Sequence, residues 1–168
     1  DLSMWGARGL TFEFRNDLDF VDGLRAECRK VNVPLLTIGE TPYELDHGAL
    51  VPIYFLRSGM DGARLVPLTF SWLDLEAHYT FGQAIGRAAQ RSGKRVVIVA
   101  SGDLSHCLTR DAPYGFDPHG EVFDRAIVQA MSRLDVKAVL GMDRATIHGA
   151  KECGLRSIVI LLGTLDGL

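Results

Sequence analysis

The chain has 168 residues, of which 47% are hydrophobic and 23% are charged, a composition typical of a single globular domain with its own core. Its formal net charge is −3, and its basic residues are scattered along the chain. We therefore do not expect it to bind nucleic acid or an anionic membrane, since both require a cluster of basic residues. Because no apolar run approaches the roughly 18 residues that cross a bilayer and no signal segment opens the chain, we expect a cytoplasmic protein.

The three cysteines indicate reduced thiols. Cys28, Cys107 and Cys153 are odd in number and lack CxxC spacing, so the sequence predicts neither a disulfide framework nor a structural zinc site.

Two helices and two strands are predicted in the first half of the chain. Apolar residues recur at helical spacing after Asn16 and Asp17, either of which can cap a helix of about three turns. An apolar run at 33–38, followed by a Gly/Pro turn at 39–42, predicts a strand. The next apolar segment predicts a buried helix that begins near Gly48. A further strand is expected at 65–70, at an edge or with a bulge because it contains a proline.

A helix and a buried strand follow. Ser71 and Asp74 resemble a capping box for a helix over 72–91, which Gly93 ends. The continuous Val/Ile run at 96–100 is typical of a strand that is covered on both faces.

The last third is predicted to be mainly helical. A loop from Cys107 to Gly120 precedes a clean 3.6-residue period over 123–134, and a short helix is expected at 135–141. Propensity alone would allow a strand for the apolar run at 157–162.

Alternating helices and strands predict an α/β fold: one layered domain over residues 1–168, with a central, mainly parallel or mixed sheet flanked by helices. The chain starts at Asp1 without a methionine, and its first residues have the character of an internal segment. We therefore expect a domain that is truncated at its N-terminus.

The end of the predicted strand at 96–100 is the first candidate site. Ligands of open α/β sheets bind at the carboxyl ends of strands, and Asp103, Ser105 and His106 follow this strand directly. A histidine there is well placed as a base or a ligand, although a lone histidine is more often structural.

Other residues have both functional and structural interpretations. His47 is either a site residue or part of a helix N-terminus. Glu152 is either a metal ligand or a helix residue that pairs with Lys151 or Arg156, because an unpaired buried carboxylate is costly. Cys153 is a thiolate ligand, a nucleophile or a small buried thiol. The remaining histidines are interpreted as structural: His78, His119 and His148.

Three stretches resemble the class III extradiol ring-cleavage dioxygenase superfamily: LDHGALVP at 45–52, ASGDLSH at 100–106 and ECGLRS at 152–157. Two more, DAPYGFD at 111–117 and ILLGTLDG at 160–167, are more similar to its Memo-like branch, the AmmeMemoRadiSam system protein B group.

The resemblance implies specific roles for site residues. His106 corresponds to the acid/base histidine and His47 to a second catalytic histidine near the substrate. Glu152 corresponds to the late metal ligand, while Cys153 matches the cysteine that occupies this position in the Memo branch. We favour Glu152, since Fe(II) prefers a carboxylate and a thiolate suits softer ions.

The resemblance also implies a substrate site, a cofactor and one helix. We assign Asp103, Ser105 and Tyr114 to substrate binding. The cofactor would be Fe(II), held also by two histidines expected upstream of Asp1. The run at 157–162 would continue a helix, against its strand propensity.

Two functions are consistent with these observations. The leading one is a non-haem Fe(II)-dependent extradiol dioxygenase whose partners are a small ortho-dihydroxy aromatic and dioxygen. The sequence is compatible with a monomer or a homo-oligomer. The alternative is a Memo-like protein of the AmmeMemoRadiSam system that binds a ligand, a peptide or a protein without dioxygenase turnover.

Overall fold

The computed structural model describes Gly6, residues 12–38 and residues 44–167. Seven α-helices lie within these residues, with a short 3-10 turn at Arg57–Gly59. The predicted turn at 39–42 lies outside them. The helices are Leu18–Lys30 (α1), His47–Leu56 (α2), Leu75–Ser92 (α3), Pro118–Met131 (α4), Val136–Leu140 (α5), Arg144–Ala150 (α6) and Leu155–Thr164 (α7).

Aspartate side chains cap the N-termini of α1 to α6, each accepting a hydrogen bond from a backbone N–H in the first turn. Asp17, not Asn16, caps α1. The capping box predicted at Ser71 is wrong in its first member, because the Asp74 carboxylate accepts the Ala77 N–H over 2.8 Å. The other caps are Asp46, Asp117, Asp135 and Asp143.

Most predicted helices are confirmed within one turn. α2 begins at His47, next to the predicted Gly48, and Gly93 ends α3 in the left-handed conformation. The run at 157–162 lies inside α7, so the helix implied by the resemblance is confirmed over the strand that propensity allowed.

The predicted α/β layered fold with a central sheet is wrong. Among the described residues there is no strand, and the β-type pairing is one isolated parallel bridge between Asn16 and Leu65. Residues 33–38 and 96–100 form no strand, and Val97 is 83% exposed. A strand exists only when a neighbouring segment pairs with it, and an apolar run contains no information about whether that neighbour is there.

Two hydrophobic clusters form the core. One joins α4, α5 and α7 around Phe123, Val139 and Val159, which are fully buried. The other joins α1 and α3. Side chains from outside the helices pack against it: Val33, Leu35, Val66 and Ile98. No helix of the described residues is both long and apolar enough to span a membrane.

Helices α3 and α7 link the clusters through glycines. A Cβ at Gly82 would overlap the Ile160 carbonyl oxygen and lie 2.9 Å from the Gly163 Cα, and one at Gly86 would lie 2.9 Å from the Thr164 carbonyl oxygen. Arg156 in the first turn of α7 lies over the ring of Trp72, which comes just before α3. The N-termini of α3 and α7 therefore lie at the same end of the helix pair.

Candidate metal-binding site

Three different metal-ligand side chains meet beside the N-terminus of α7. A carboxylate oxygen of Asp103, a ring nitrogen of His106 and the sulfur of Cys153 all lie within 4.8 Å of one another. The His106 Nε2 is 3.3 Å from the Asp103 Oδ2 and 4.0 Å from the Cys153 Sγ. Oxygen, nitrogen and sulfur donors at this spacing can surround one metal ion.

Backbone hydrogen bonds bring the two halves of this group together. The Asp103 N–H donates to the Cys153 Sγ over 3.1 Å, and the Cys153 N–H donates to the Asp103 carbonyl oxygen over 3.3 Å. Gly102 and Gly154 allow the approach, since a Cβ at Gly102 would overlap the Gly154 Cα. The connection between α6 and α7 is therefore docked directly on residues 102–103.

Ser105 fixes the segment that carries His106. Its hydroxyl donates to the Ala150 carbonyl oxygen over 2.9 Å and accepts the Cys107 N–H over 3.0 Å, while its own N–H donates to the Asp124 Oδ1 over 2.8 Å. The His106 N–H also donates to the Ala150 carbonyl oxygen, over 3.1 Å. Ser105 thus connects this segment to both α4 and α6.

The Glu152 carboxylate has a helix-capping role. Its Oε2 accepts the Leu155 N–H over 2.6 Å, which satisfies one of the first backbone donors of α7. Its Oε1 lies 4.0 Å from the Arg156 Nη1. The Glu152 side chain is only 5% exposed. It does not belong to the donor group of Asp103, His106 and Cys153.

The other predicted site residues lie outside the donor group. The Tyr114 ring centroid is 6.0 Å from that of His106, with the planes tilted by 32°, so an exposed aromatic ring borders the site. His47 is the exposed first residue of α2. The structure brings Asp103, His106, Cys153 and Tyr114 together.

Two further histidines are engaged in local hydrogen bonds. His78 is 3% exposed, and its Nδ1 lies 2.6 Å from the Asp74 carbonyl oxygen. The backbone N–H and ring of His119 bond to the Asp117 carboxylate, and these bonds lower the pKa of Asp117 below its ordinary value. Both histidines stabilise the start of a helix.

The donor group is open to solvent. The Asp103 side chain is 80% exposed and that of His106 is 25% exposed, so a small molecule can reach both. The sequence did not reveal that Asp103 and Cys153 would face one another, because they are 50 residues apart. The glycines beside them, Gly102 and Gly154, were the one sequence feature that indicated such a close approach.

Comparison with known proteins places this chain in a family. The family model "Catalytic LigB subunit of aromatic ring-opening dioxygenase" matches residues 3–168. A protein of Clostridium acetobutylicum is 40% identical over 123 residues, which make up 73% of this chain and 26% of that protein.

Two archaeal relatives carry the name MEMO1 family protein. The one from Methanococcoides burtonii is 26% identical over 138 residues, covering 73% of this chain and 49% of its own length. The one from Methanosarcina acetivorans is 26% identical over 154 residues, covering 90% and 51%. The chain spans about half the length of these two relatives and about a quarter of the length of the Clostridium protein. It belongs to the LigB family, whose model carries that description, and MEMO1 family proteins are among its relatives.

Proposed function

We propose that Asp103 and Cys153 hold a divalent metal ion beside His106, and that this site supports extradiol cleavage of a small ortho-dihydroxy aromatic by dioxygen. The observation that carries the proposal is the approach of three different ligand atoms to within 4.8 Å. Family membership favours this chemistry over a structural metal site, because the matched family is described by aromatic ring opening.

The donor set fits a transition-metal ion. The Cys153 thiolate is a ligand type found with both iron and zinc, and the Asp103 carboxylate adds the hard oxygen ligand that Fe(II) accepts. Cys153 is the metal-facing residue of the pair Glu152 and Cys153, since the Glu152 carboxylate already caps α7. The Asp103 N–H donates to the Cys153 sulfur and fixes its position beside His106. When bound, Fe(II) would supply the redox chemistry that dioxygen needs to react with an aromatic diol.

His106 is assigned the proton transfer. Its Nε2 faces the Asp103 Oδ2 at 3.3 Å, so the carboxylate orients the imidazole, which would take a proton from a substrate hydroxyl. Asp103 retains a second carboxylate oxygen for the metal. Ser105 acts as a positioning residue through its bonds to Ala150 and Cys107.

The aromatic substrate would lie beside Tyr114, whose exposed ring borders His106. His47 is included as a second substrate-contacting histidine on the resemblance alone.

Asp103 has two roles in this proposal: it is a metal ligand, and its carboxylate orients His106.

The test is oxygen consumption by protein loaded with Fe(II) under anaerobic conditions and then mixed with catechol. Wild-type protein should consume oxygen, and His106→Gln should abolish consumption while retaining most metal uptake. Ring cleavage at the wild-type rate in His106→Gln would overturn the role of His106. His148→Gln, a histidine outside the donor group, is the matched control and should behave like the wild type.

A second candidate function is ligand or partner binding without turnover, as in the Memo-like alternative. The observation that favours it is the cysteine sulfur at the site, since thiolates select softer ions than Fe(II). Metal uptake with no oxygen consumption for any catechol would support this candidate and count against the dioxygenase.

A further inference from the structure

Arg156 is a largely buried cation that makes no hydrogen bond within the described part of the chain. Its side chain is 22% exposed, and its Nε is buried without a partner. The nearest carboxylate oxygen, Glu152 Oε1, is 4.0 Å from Nη1, which is beyond hydrogen-bonding distance. Buried guanidinium donors are costly when they are unsatisfied, so this side chain requires an explanation.

Two aromatic rings hold the Arg156 side chain in place. The guanidinium carbon lies 4.9 Å from the centroid of the Trp72 ring and 6.0 Å from that of Phe70. Cation–π contact stabilises the positive charge of the guanidinium. The aromatic rings give its N–H groups no oxygen or nitrogen acceptor. The Trp72 ring is itself 85% exposed, so a ligand can reach this cluster from solvent.

Arg156 lies at the same end of the helix pair as the donor group. It belongs to the first turn of α7 and follows Cys153 by three residues, while Phe70 and Trp72 come just before α3. Both helix N-termini therefore lie at this end. The Leu155 N–H holds the Glu152 Oε2, and the Oε1 lies 4.0 Å from the Arg156 Nη1, so this carboxylate is an ion-pair neighbour of the guanidinium but not a hydrogen-bond acceptor for it.

We propose that Arg156 binds an oxyanion group, a carboxylate or a phosphate, of the ligand that occupies the neighbouring metal site. The inference rests on the proposed function, whose substrate it makes more specific. A planar fork of N–H donors matches the paired oxygens of these groups. The Trp72 ring, whose centroid lies 4.9 Å from the guanidinium carbon, would lie beside the bound anion.

Fluorescence of Trp72 provides a direct test. The sequence contains two tryptophans, so Trp5→Phe leaves Trp72 as the reporter. At constant ionic strength, benzoate and phenyl phosphate are titrated separately, with neutral benzamide as the third probe. We expect a saturable change for at least one of the two anions and none for benzamide, and the anion that binds more tightly identifies the group.

Variants separate Arg156 from general charge effects. Arg156→Gln should weaken anion binding about tenfold or more, because a charge-assisted pair is lost. Arg156→Lys keeps the charge but not the fork and should bind with intermediate affinity; it also serves if the glutamine variant does not fold. Arg125→Gln removes an arginine that is 67% exposed and paired with Glu121 on α4, and it should bind like the wild type.

Three results would overturn the inference: unchanged anion affinity in both Arg156 variants, no saturable response to either anion, or equal binding of benzamide. Metal uptake is measured on the same proteins. Cys153→Ser should lose metal affinity and keep the anion response, whereas Arg156→Gln should do the reverse. The two proposals can therefore fail independently.

Discussion

The backbone N–H of Asp103 donates a hydrogen bond to the Cys153 sulfur, and the backbone N–H of Cys153 donates one to the Asp103 carbonyl oxygen, over 3.1 Å and 3.3 Å. This reciprocal pair joins two segments that are 50 residues apart. Main-chain donors and acceptors fix the spacing, so the two candidate ligands are preorganised before any ion binds. The site should therefore be sensitive to changes that separate the two segments.

Gly102→Ala should weaken metal binding by about tenfold to a hundredfold, as changes to groups that support metal ligands do. The added Cβ would overlap the Gly154 Cα and lie 2.9 Å from the Cys153 carbonyl oxygen. Isothermal titration with a divalent metal measures the effect. Gly59→Ala, where a Cβ meets nothing within 4 Å, is the control. Equal metal affinity in Gly102→Ala and wild type would argue against the docking of these segments.

Gly82→Ala should destabilise the protein by about 1 to 3 kcal/mol, the usual cost of overpacking. The contact of α3 with α7 leaves no room for a Cβ beside Ile160 and Gly163. Urea unfolding followed by circular dichroism gives the free energy. Gly23→Ala in α1 adds a methyl group in open space and should stabilise by up to about 1 kcal/mol. The helix contact would be wrong if both variants changed stability by the same amount.

Glu27 should make the stability of the protein dependent on pH in the acid range. Its side chain is 3% exposed and contacts Lys30 at 2.7 Å, Arg91 at 3.0 Å and Arg87 at 3.3 Å. The hydrogen bond from Lys30, followed by the charges of Arg91 and Lys30, lowers the pKa of Glu27 below its ordinary value of 4.5, against the opposing effect of burial.

Because the folded pKa lies below the unfolded one, this carboxylate stabilises the fold fully above pH 4.5. Its contribution decreases as the pH falls from 4.5 through the folded pKa. Glu27→Gln should cost about 2 kcal/mol at pH 7, below the usual range for a buried pair because the partners are partly exposed. The difference from wild type, measured by urea unfolding, should shrink below pH 4.5. A difference that stays constant down to pH 3 would contradict this role.

Val97→Lys should reduce self-association without loss of stability. Val97 lies in an unpaired apolar segment at 96–100 and is 83% exposed, and such segments pair readily with other chains. Light scattering against concentration and binding of a hydrophobic dye measure the effect. Ile98→Lys is the matched comparison, because Ile98 packs against the α1–α3 cluster and its replacement should unfold the protein more easily. Equal destabilisation by both changes would refute the orientation of this segment.

The helices were predictable because their determinants are local. Asp17 is a good N-cap and apolar residues follow it at helical spacing, so the start of α1 could be placed within one residue. The same logic applies to α4, whose buried Phe123 and Ile127 are four residues apart. The pairing of strands is different, because it depends on residues that are far apart in the sequence. The run at 96–100 predicts burial on two faces, yet its pairing depends on segments that its own sequence does not specify.

The position of the donor group was predictable, but its members were not. The end of the run at 96–100 was expected to present His106, and the resemblance added the stretch that contains Cys153. Glu152 and Cys153 are adjacent and both chemically capable of binding a metal. The local turn into α7 places one carboxylate on a helix N–H and the neighbouring sulfur beside His106, and no spacing rule distinguishes the two.

The central claim is that Cys153, rather than Glu152, faces the metal. Titration with Co²⁺ tests it directly, because a cysteine sulfur bound to cobalt gives a charge-transfer band in the near ultraviolet. We predict this band in the wild type and in Glu152→Ala, with the latter less stable by about 1 kcal/mol through loss of its helix cap, and no band in Cys153→Ser. A band that persists in Cys153→Ser, or its absence from the wild type, would contradict the account.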